Sequence, residues 1–282
     1  MGDVLAGFHA AWEFESDSVL IRYERGIRTP KLFQALGERR VPLEALARVT
    51  LTPGRRGTVV LRAEPRPGAD PLMEVAAGQL KESCDPYRLV LPAEREVLAE
   101  YYADELRGRL TESGPAERHL VAAPEAPLRF KAYDGKASFD GTSVSFRWFW
   151  TGASSAKWKA GDQTFAVADL SGVEWRSPEV FEGHLRLLRR DADAPGVQPD
   201  QDPAAVVFGL GYGPVHESLP FAAAVSAAVR DRGPVAAVPA AAPRRDPADI
   251  AERIRHLGEL HQAGLVTDEE FSVKKAELLA EL

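Results

Sequence analysis

The chain has 282 residues, 45% of them hydrophobic and 27% charged, with a formal net charge of −7 and a single cysteine. That length suits two domains and a small appendage, and the apolar share is enough to bury cores. The acidic balance, with no strongly basic segment, disfavours nucleic acid as the main partner, and the lone Cys84 excludes an internal disulfide and a cysteine-rich metal site.

The first residues, Met1-Gly2-Asp3-Val4, lack the basic stretch and apolar core of a secretory signal. No apolar run approaches the ~18–20 residues that span a bilayer. The expectation is a cytoplasmic protein in a reducing setting.

Taken from the N-terminus, the chain repeats itself. Phe14-Glu15-Ser16-Asp17-Ser18-Val19-Leu20-Ile21 matches Phe139-Asp140-Gly141-Thr142-Ser143-Val144-Ser145-Phe146. Val41, Leu46, Val49 and Leu51 then fall on Phe165, Leu170, Val173 and Trp175, and Gly57, Val59 and Leu61 are set against Gly183, Leu185 and Leu187. An apolar pattern kept in order at nearly fixed spacing predicts one fold used twice. Val19, Ile21 and Tyr23, like Leu185 and Leu187, alternate with neighbours in the period-two pattern of half-buried antiparallel strands. Thr52-Pro53-Gly54, Pro65-Arg66-Pro67-Gly68 and Asp193-Ala194-Pro195-Gly196 separate them as turns. The last lies in a polar insertion, roughly 191–203, expected to be shorter in the first copy.

Each copy closes in a helix. The first is expected over Pro92 to about Leu110, with Glu94 and Glu96 at its positive end and Val97, Leu98, Tyr101, Leu106 and Leu110 as its apolar stripe. The second is expected over about Ser218 to Arg232, with Ser218 as N-cap, Phe221, Val225 and Val229 as the stripe and Gly233 just past the end. Strands followed by one amphipathic helix is the order of a pleckstrin-homology-like barrel. The fold class expected is therefore mainly β with α: two such barrels, each a bent antiparallel sheet closed by its terminal helix, and a C-terminal two-helix hairpin. The boundaries are 1–113 for the first copy, 114–127 for a linker, 128–233 for the second copy, 234–247 for an Ala/Pro-rich flexible tether and 248–282 for the hairpin.

In the hairpin the period changes to 3.6, with Ile250, Ile254, Leu257 and Leu260 on one face and Gly264 as the stop. Thr267 and Glu270 form a capping box, and Phe271, just inside it, begins the second helix, which carries Leu278 and Leu279. This run of leucine-rich helix, Ala263-Gly264, Leu265-Val266, Thr267, Glu269-Glu270, Phe271, Lys275 and Leu278-Leu279 resembles the SHOCT family of short C-terminal bacterial domains. The preceding duplication resembles bacterial pleckstrin-homology-like domains of unknown function that occur in tandem ahead of such tails. The resemblance implies oligomerisation or partner contact and no catalytic role. Two helices this short bury too little to stand alone, so Ile250, Ile254, Leu257 and Leu278 are expected to meet a partner, while Gly264, Thr267, Glu270 and Phe271 hold the hairpin together. Docking of the hairpin on its own chain is the alternative.

Catalytic signals are weak. Gly209-Leu210-Gly211-Tyr212-Gly213-Pro214 has the wrong spacing for a dinucleotide fingerprint and reads as a strand-end loop. The six histidines show no metal-ligand spacing, and no G-x-S-x-G elbow exists. No cofactor and no metal is expected. The densest aromatic segment is Phe146-Arg147-Trp148-Phe149-Trp150, followed by Lys157-Trp158-Lys159. Alternation puts Phe146, Trp148 and Trp150 inside the barrel. Phe149 and Trp158, with neighbouring Lys and Arg, are the candidate partner or membrane-interface patch. The functional expectation is a non-enzymatic scaffold or adaptor. A peripheral membrane protein using basic turns and exposed aromatics, and an enzyme with an unrecognised site, are the alternatives.

Overall fold

A computed structural model of the chain describes residues 3–190 and 197–232, together with Ser272 and Lys275. The chain divides into two compact units, Met1–Ala236 and Ala237–Leu282, and both copies of the repeat lie in the first. Of the second unit, Ser272 and Lys275 are helical and exposed. Ile250, Ile254, Leu257, Gly264, Thr267, Glu270, Phe271 and Leu278 lie outside the described residues, as does the 234–247 tether.

The first unit is mainly β, with few helices and four sheets. In the first copy, β1 (Asp3–Ala6), β2 (Ala10–Phe14), β3 (Ser18–Tyr23) and β4 (Glu38–Pro42) form an antiparallel meander, with α1 (Lys31–Leu36) between β3 and β4. β5 (Leu46–Pro53), β6 (Thr58–Pro65) and β7 (Arg88–Pro92) form a second sheet, with α2 (Pro71–Ala76) between β6 and β7, and α3 (Glu96–Arg109) closes the copy. The second copy repeats the order. β8 (Leu128–Lys131), β9 (Gly135–Phe139), β10 (Ser143–Trp148) and β11 (Gln163–Ala166) make the four-stranded sheet, with α4 (Ser155–Ala160) before β11. β12 (Leu170–Arg176), β13 (His184–Arg189) and β14 (Ala205–Val207) make the three-stranded one, and α5 (Val215–Arg232) follows.

Register shows the duplication residue by residue. Phe14 faces Val19 and Phe139 faces Val144; Val19 faces Val41 and Val144 faces Phe165. β5 shifts register between Leu46 and Arg48, and β12 does so between Leu170 and Gly172, so even the irregularity recurs. α1 and α4 both end on a left-handed glycine, Gly37 at φ 66° and Gly161 at φ 71°. The third sequence block aligns differently from the expectation. Val49 faces Ala63 where Val173 faces Leu187, so Leu61 corresponds to Leu185 and not to Leu187. Both choices place apolar residues on the same strand face, because a shift of two preserves the pleat.

Four other expectations are corrected. The connection between β6 and β7, 66–87, is longer than that between β13 and β14, 190–204, and it contains α2. α5 begins at Val215, so Ser218 is not its N-cap; Ser218 is buried, its hydroxyl donating to Gly213 and Pro214 carbonyls and accepting from Trp175 Nε1 at 3.1 Å. α3 buries Ala99, Tyr102, Ala103 and Leu106, while Val97, Leu98 and Tyr101 are 84%, 42% and 60% exposed. Ala99 and Ala103 let the helix approach the sheet closely beside Tyr102 and Leu106, and Val97, Leu98 and Tyr101 are turned away. The expected closure of each half into a barrel is not found among the described residues: in the first copy an isolated bridge from Phe8, beyond β1, to Val90 of β7 links the two sheets.

Two buried clusters fill the unit. One belongs to the first copy, with Trp12, Ile21, Leu46, Leu61 and Leu89 at its centre. The other belongs to the second copy but includes Leu32 from α1 and Leu72, Val75 and Ala76 from α2. α1 and α2 pack on α5, which explains why eight consecutive residues of that helix, Ser218–Val225, are buried. A helix covered on one side buries every third or fourth residue; eight in a row need covers on both sides. The 114–127 segment has no helix or strand. It docks on the first copy through Ala116 N–H to Pro67 and Leu120 and Val121 N–H to Ala69, with Ala116 and Val121 buried.

Candidate functional site

Corresponding places in the two copies hold different chemistry. In the first, Tyr23 and Phe33 stack at 4.7 Å. Their counterparts in the second are Trp148 and Lys157, and the ammonium lies 4.9 Å from the indole centroid. Lys157 is fully buried and ion-paired to Asp134 at 2.5 Å, and it donates to the Ala205 carbonyl at 2.8 Å. Asp134 also accepts from Val207 N–H at 3.0 Å. Burial pushes the Asp134 carboxyl up and the Lys157 ammonium down, and their mutual attraction offsets part of each change. Sequence reading grouped Lys157 with the surface cations around Trp158. Its partner lies 23 positions away, a distance at which side-chain periodicity carries no information.

The first copy has its own buried pair. Arg39 donates two bonds to Asp70, at 2.8 and 2.9 Å. Asp70 also caps α2 by accepting from Leu72 N–H at 2.9 Å, and takes a bond from Tyr87 Oη at 2.7 Å. Burial opposes its ionisation, but Arg39 and these donors outweigh it and hold the carboxyl below its usual range. Burial also pushes the Tyr87 and Tyr23 hydroxyls well up. The arrangement fixes the start of the helix that covers α5.

The copies are joined by a clasp. Gln79, just past α2, donates from Nε2 to the Trp175 carbonyl at 3.1 Å and accepts from Ser177 N–H at 2.9 Å. The amide thus pairs with the outer edge of β12 as a neighbouring strand would. Lys81–Glu179 and Arg230–Glu74 ion pairs flank it, with Arg230 also donating to Gly68, Ala116 and Glu117 carbonyls. A groove of about 560 Å³ remains beside the clasp, between Glu74, Val75, Gln79, Val173 and Trp175. A second hollow of about 580 Å³ lies among His9, Phe33, Cys84, Asp85 and Arg88 of the first copy and Glu179 of the second. Arg39, Asp70, Asp134 and Lys157 line neither. Among the described residues no group of three His, Cys, Asp or Glu could hold a metal, and no helix is long and apolar enough to cross a membrane.

The aromatic segment divides as alternation dictates, with one exception. Phe146 and Trp148 are buried, but Trp150 has left the strand and is 37% exposed. It meets Trp158 edge-on at 4.8 Å. Phe149 and Trp158 are half-buried, and Trp158 packs against the second core. The Gly209–Gly213 segment is a tight turn between β14 and α5. Gly213, at φ 63°, has no room for a side chain, since a Cβ there would lie 2.2 Å from Phe208.

The described fold is thus a duplicated, mainly β module in which each copy holds one buried ion pair and aromatics and helix faces are left at the surface. A family model described as a domain of unknown function, DUF4429, matches residues 12–107 and 137–226. Together these cover more than half of the chain, which belongs to that family. A second model, the short C-terminal domain SHOCT, matches residues 252–279. No curated protein matches the chain.

Proposed function

We propose that this protein is a non-enzymatic cytoplasmic adaptor, in which two pleckstrin-homology-like copies form one platform for a protein or peptide and the SHOCT segment oligomerises or recruits. The observation that carries it is the fusion of the copies. α1 and α2 of the first copy complete the core of the second, and Gln79 extends the β12 edge, so the two halves present their surfaces in a fixed relation. The pleckstrin-homology-like reading is supported by the order of four strands, three strands and a closing helix in each half. The non-catalytic reading is supported by the two innermost ion pairs, Arg39–Asp70 and Lys157–Asp134, which lie away from both hollows, and by Asp85 of the second hollow being paired with Arg62. For the SHOCT segment, the apolar stripe Ile250, Ile254, Leu257 and Leu278 is the proposed contact.

The test is affinity capture from the native host with the full chain, with Ile254→Glu and with residues 248–282 removed, beside co-sedimentation with anionic liposomes. Partners lost with the tail and a protein that stays in solution support the adaptor. Binding to vesicles through Phe149, Trp150 and Trp158 would instead favour a peripheral membrane protein, and capture unchanged by both tail variants would remove the role given to the segment.

A further inference from the structure

The duplicated fold displays one helix-to-helix junction within the chain and leaves the two halves of a second one unused. Inside the chain, α5 is covered by α1 and α2 of the preceding copy. α3 closes the first copy as α5 closes the second, and it packs on β5 and β6, with Phe14 of β2 stacked on its Tyr102. Its outer side carries Val97, Leu98 and Tyr101, 84%, 42% and 60% exposed. At the opposite end of the tandem, α4 stands where α1 stands in the first copy, and Ser155, Lys159 and Ala160 are exposed on it.

The free surfaces complement each other in size and charge. In the internal junction α1 supplies Leu32 and Leu36, and α2, which has no counterpart among the described residues of the second copy, supplies Leu72 and Val75, to an alanine-rich α5. In the free pair the sizes are exchanged. Ala156 and Ala160 of α4 correspond to Leu32 and Leu36, and α3 supplies Val97, Leu98 and Tyr101. Knobs on one helix against alanines on the other is ordinary ridge-and-groove packing. Glu94 and Glu96 flank the α3 patch, and Lys159 flanks the α4 one. Arg95, also at the start of α3, is turned to the Ala6 carbonyl.

We propose that copies of this chain associate head to tail, the outer face of α3 in one molecule packing on α4 of the next, as a repetition between molecules of the α1–α5 junction within one. The contact is heterologous, so it leaves one free end of each kind and extends. It is small compared with the ~1,200 Å² of a stable interface, so it is weak alone and depends on concentration. It does not rest on the role given to the SHOCT segment.

Light scattering on the full chain over a range of concentrations tests it, with circular dichroism as the check on folding. The mass per particle rises with concentration in the wild type. With Ile254→Glu present to remove any association through the tail, Val97→Asp combined with Tyr101→Asp, and separately Ala156→Arg, each return it to one chain; Tyr101→Lys is the second α3 variant should the pair fail to fold. Mixing the α3 and α4 variants one to one gives particles of two chains and no more, since each supplies one intact face. The decisive comparison is made with Ile254→Glu present in every chain. Concentration dependence that survives Ile254→Glu and is lost with the α3 or α4 changes establishes the junction, whatever the tail does. A wild type that stays one chain throughout, α3 or α4 variants that associate like wild type, or a mixture that stays at one chain would overturn it.

Discussion

Asp70→Asn isolates a single quantity, the charge that holds Arg39 in the first copy. Asp70 is 1% exposed and receives both guanidinium bonds, at 2.8 and 2.9 Å, while Arg39 is 7% exposed. Asparagine is as good an N-cap as aspartate, so the bond from Leu72 N–H survives. What is lost is the carboxylate. An amide N–H would face the guanidinium, and a buried cation would be left without its counter-ion. Removing one member of such a pair costs about 3–5 kcal/mol, well above the ~0.3–1 kcal/mol of a helix-dipole effect. At a guanidinium slope of ~4 kcal/mol/M this is a loss of roughly 1 M in the unfolding midpoint. Tryptophan fluorescence is the assay, because Trp148, Trp150, Trp158 and Trp175 lie in the second copy and report on it. α2, which Asp70 caps, contributes Leu72, Val75 and Ala76 to that copy's core, so the second-copy signal shifts with the first-copy change in one transition. Adding Arg39→Met to Asp70→Asn costs less than the sum of the single changes, as both charges are then gone. A cost below ~1 kcal/mol, or a second-copy transition that stays in place, would refute the reasoning.

Other outcomes follow from the same physics. Lys157→Met leaves Asp134 buried without its cation and destabilises by ~3–5 kcal/mol near neutrality; because burial already raises that carboxyl, the deficit shrinks as pH falls and the orphan acid protonates, which denaturation at two pH values reads out. Gln79→Ala removes two hydrogen bonds from the β12 edge, worth ~1–3 kcal/mol together, and speeds hydrogen exchange at the Ser177 amide. Asp140 accepts from the Thr142 and Ser143 amides and hydroxyls, which outweigh its partial burial and bring its carboxyl down to about 2. Its contribution is therefore present above the unfolded carboxylate range and lost as pH falls toward 2, and Asp140→Asn flattens the acid limb of the stability curve by a few tenths of a kcal/mol, since the site is largely exposed.

Much of the architecture is legible in the amino-acid order alone. Period-two alternation in Val19, Ile21 and Tyr23, polar turns at Ser16-Asp17 and Asp140-Gly141, and an apolar pattern returning after about 124 positions give the strands and the duplication, because these depend on neighbours a few residues apart. The SHOCT motif at the C-terminus is legible for the same reason. Tertiary structure alone decides which face of α3 is buried. Val97, Leu98, Tyr101, Tyr102 and Leu106 surround most of that helix, and its sheet selects the side where Ala99 and Ala103 permit close approach. It decides that Lys157, one of three cations in a row of aromatics, meets Asp134 and not water. It decides, too, that α2 of one copy completes the core of the other and that Gln79 extends a strand 96 positions away. Contacts of that kind come from packing between distant segments, where shape and desolvation choose among many residues that look equivalent in sequence.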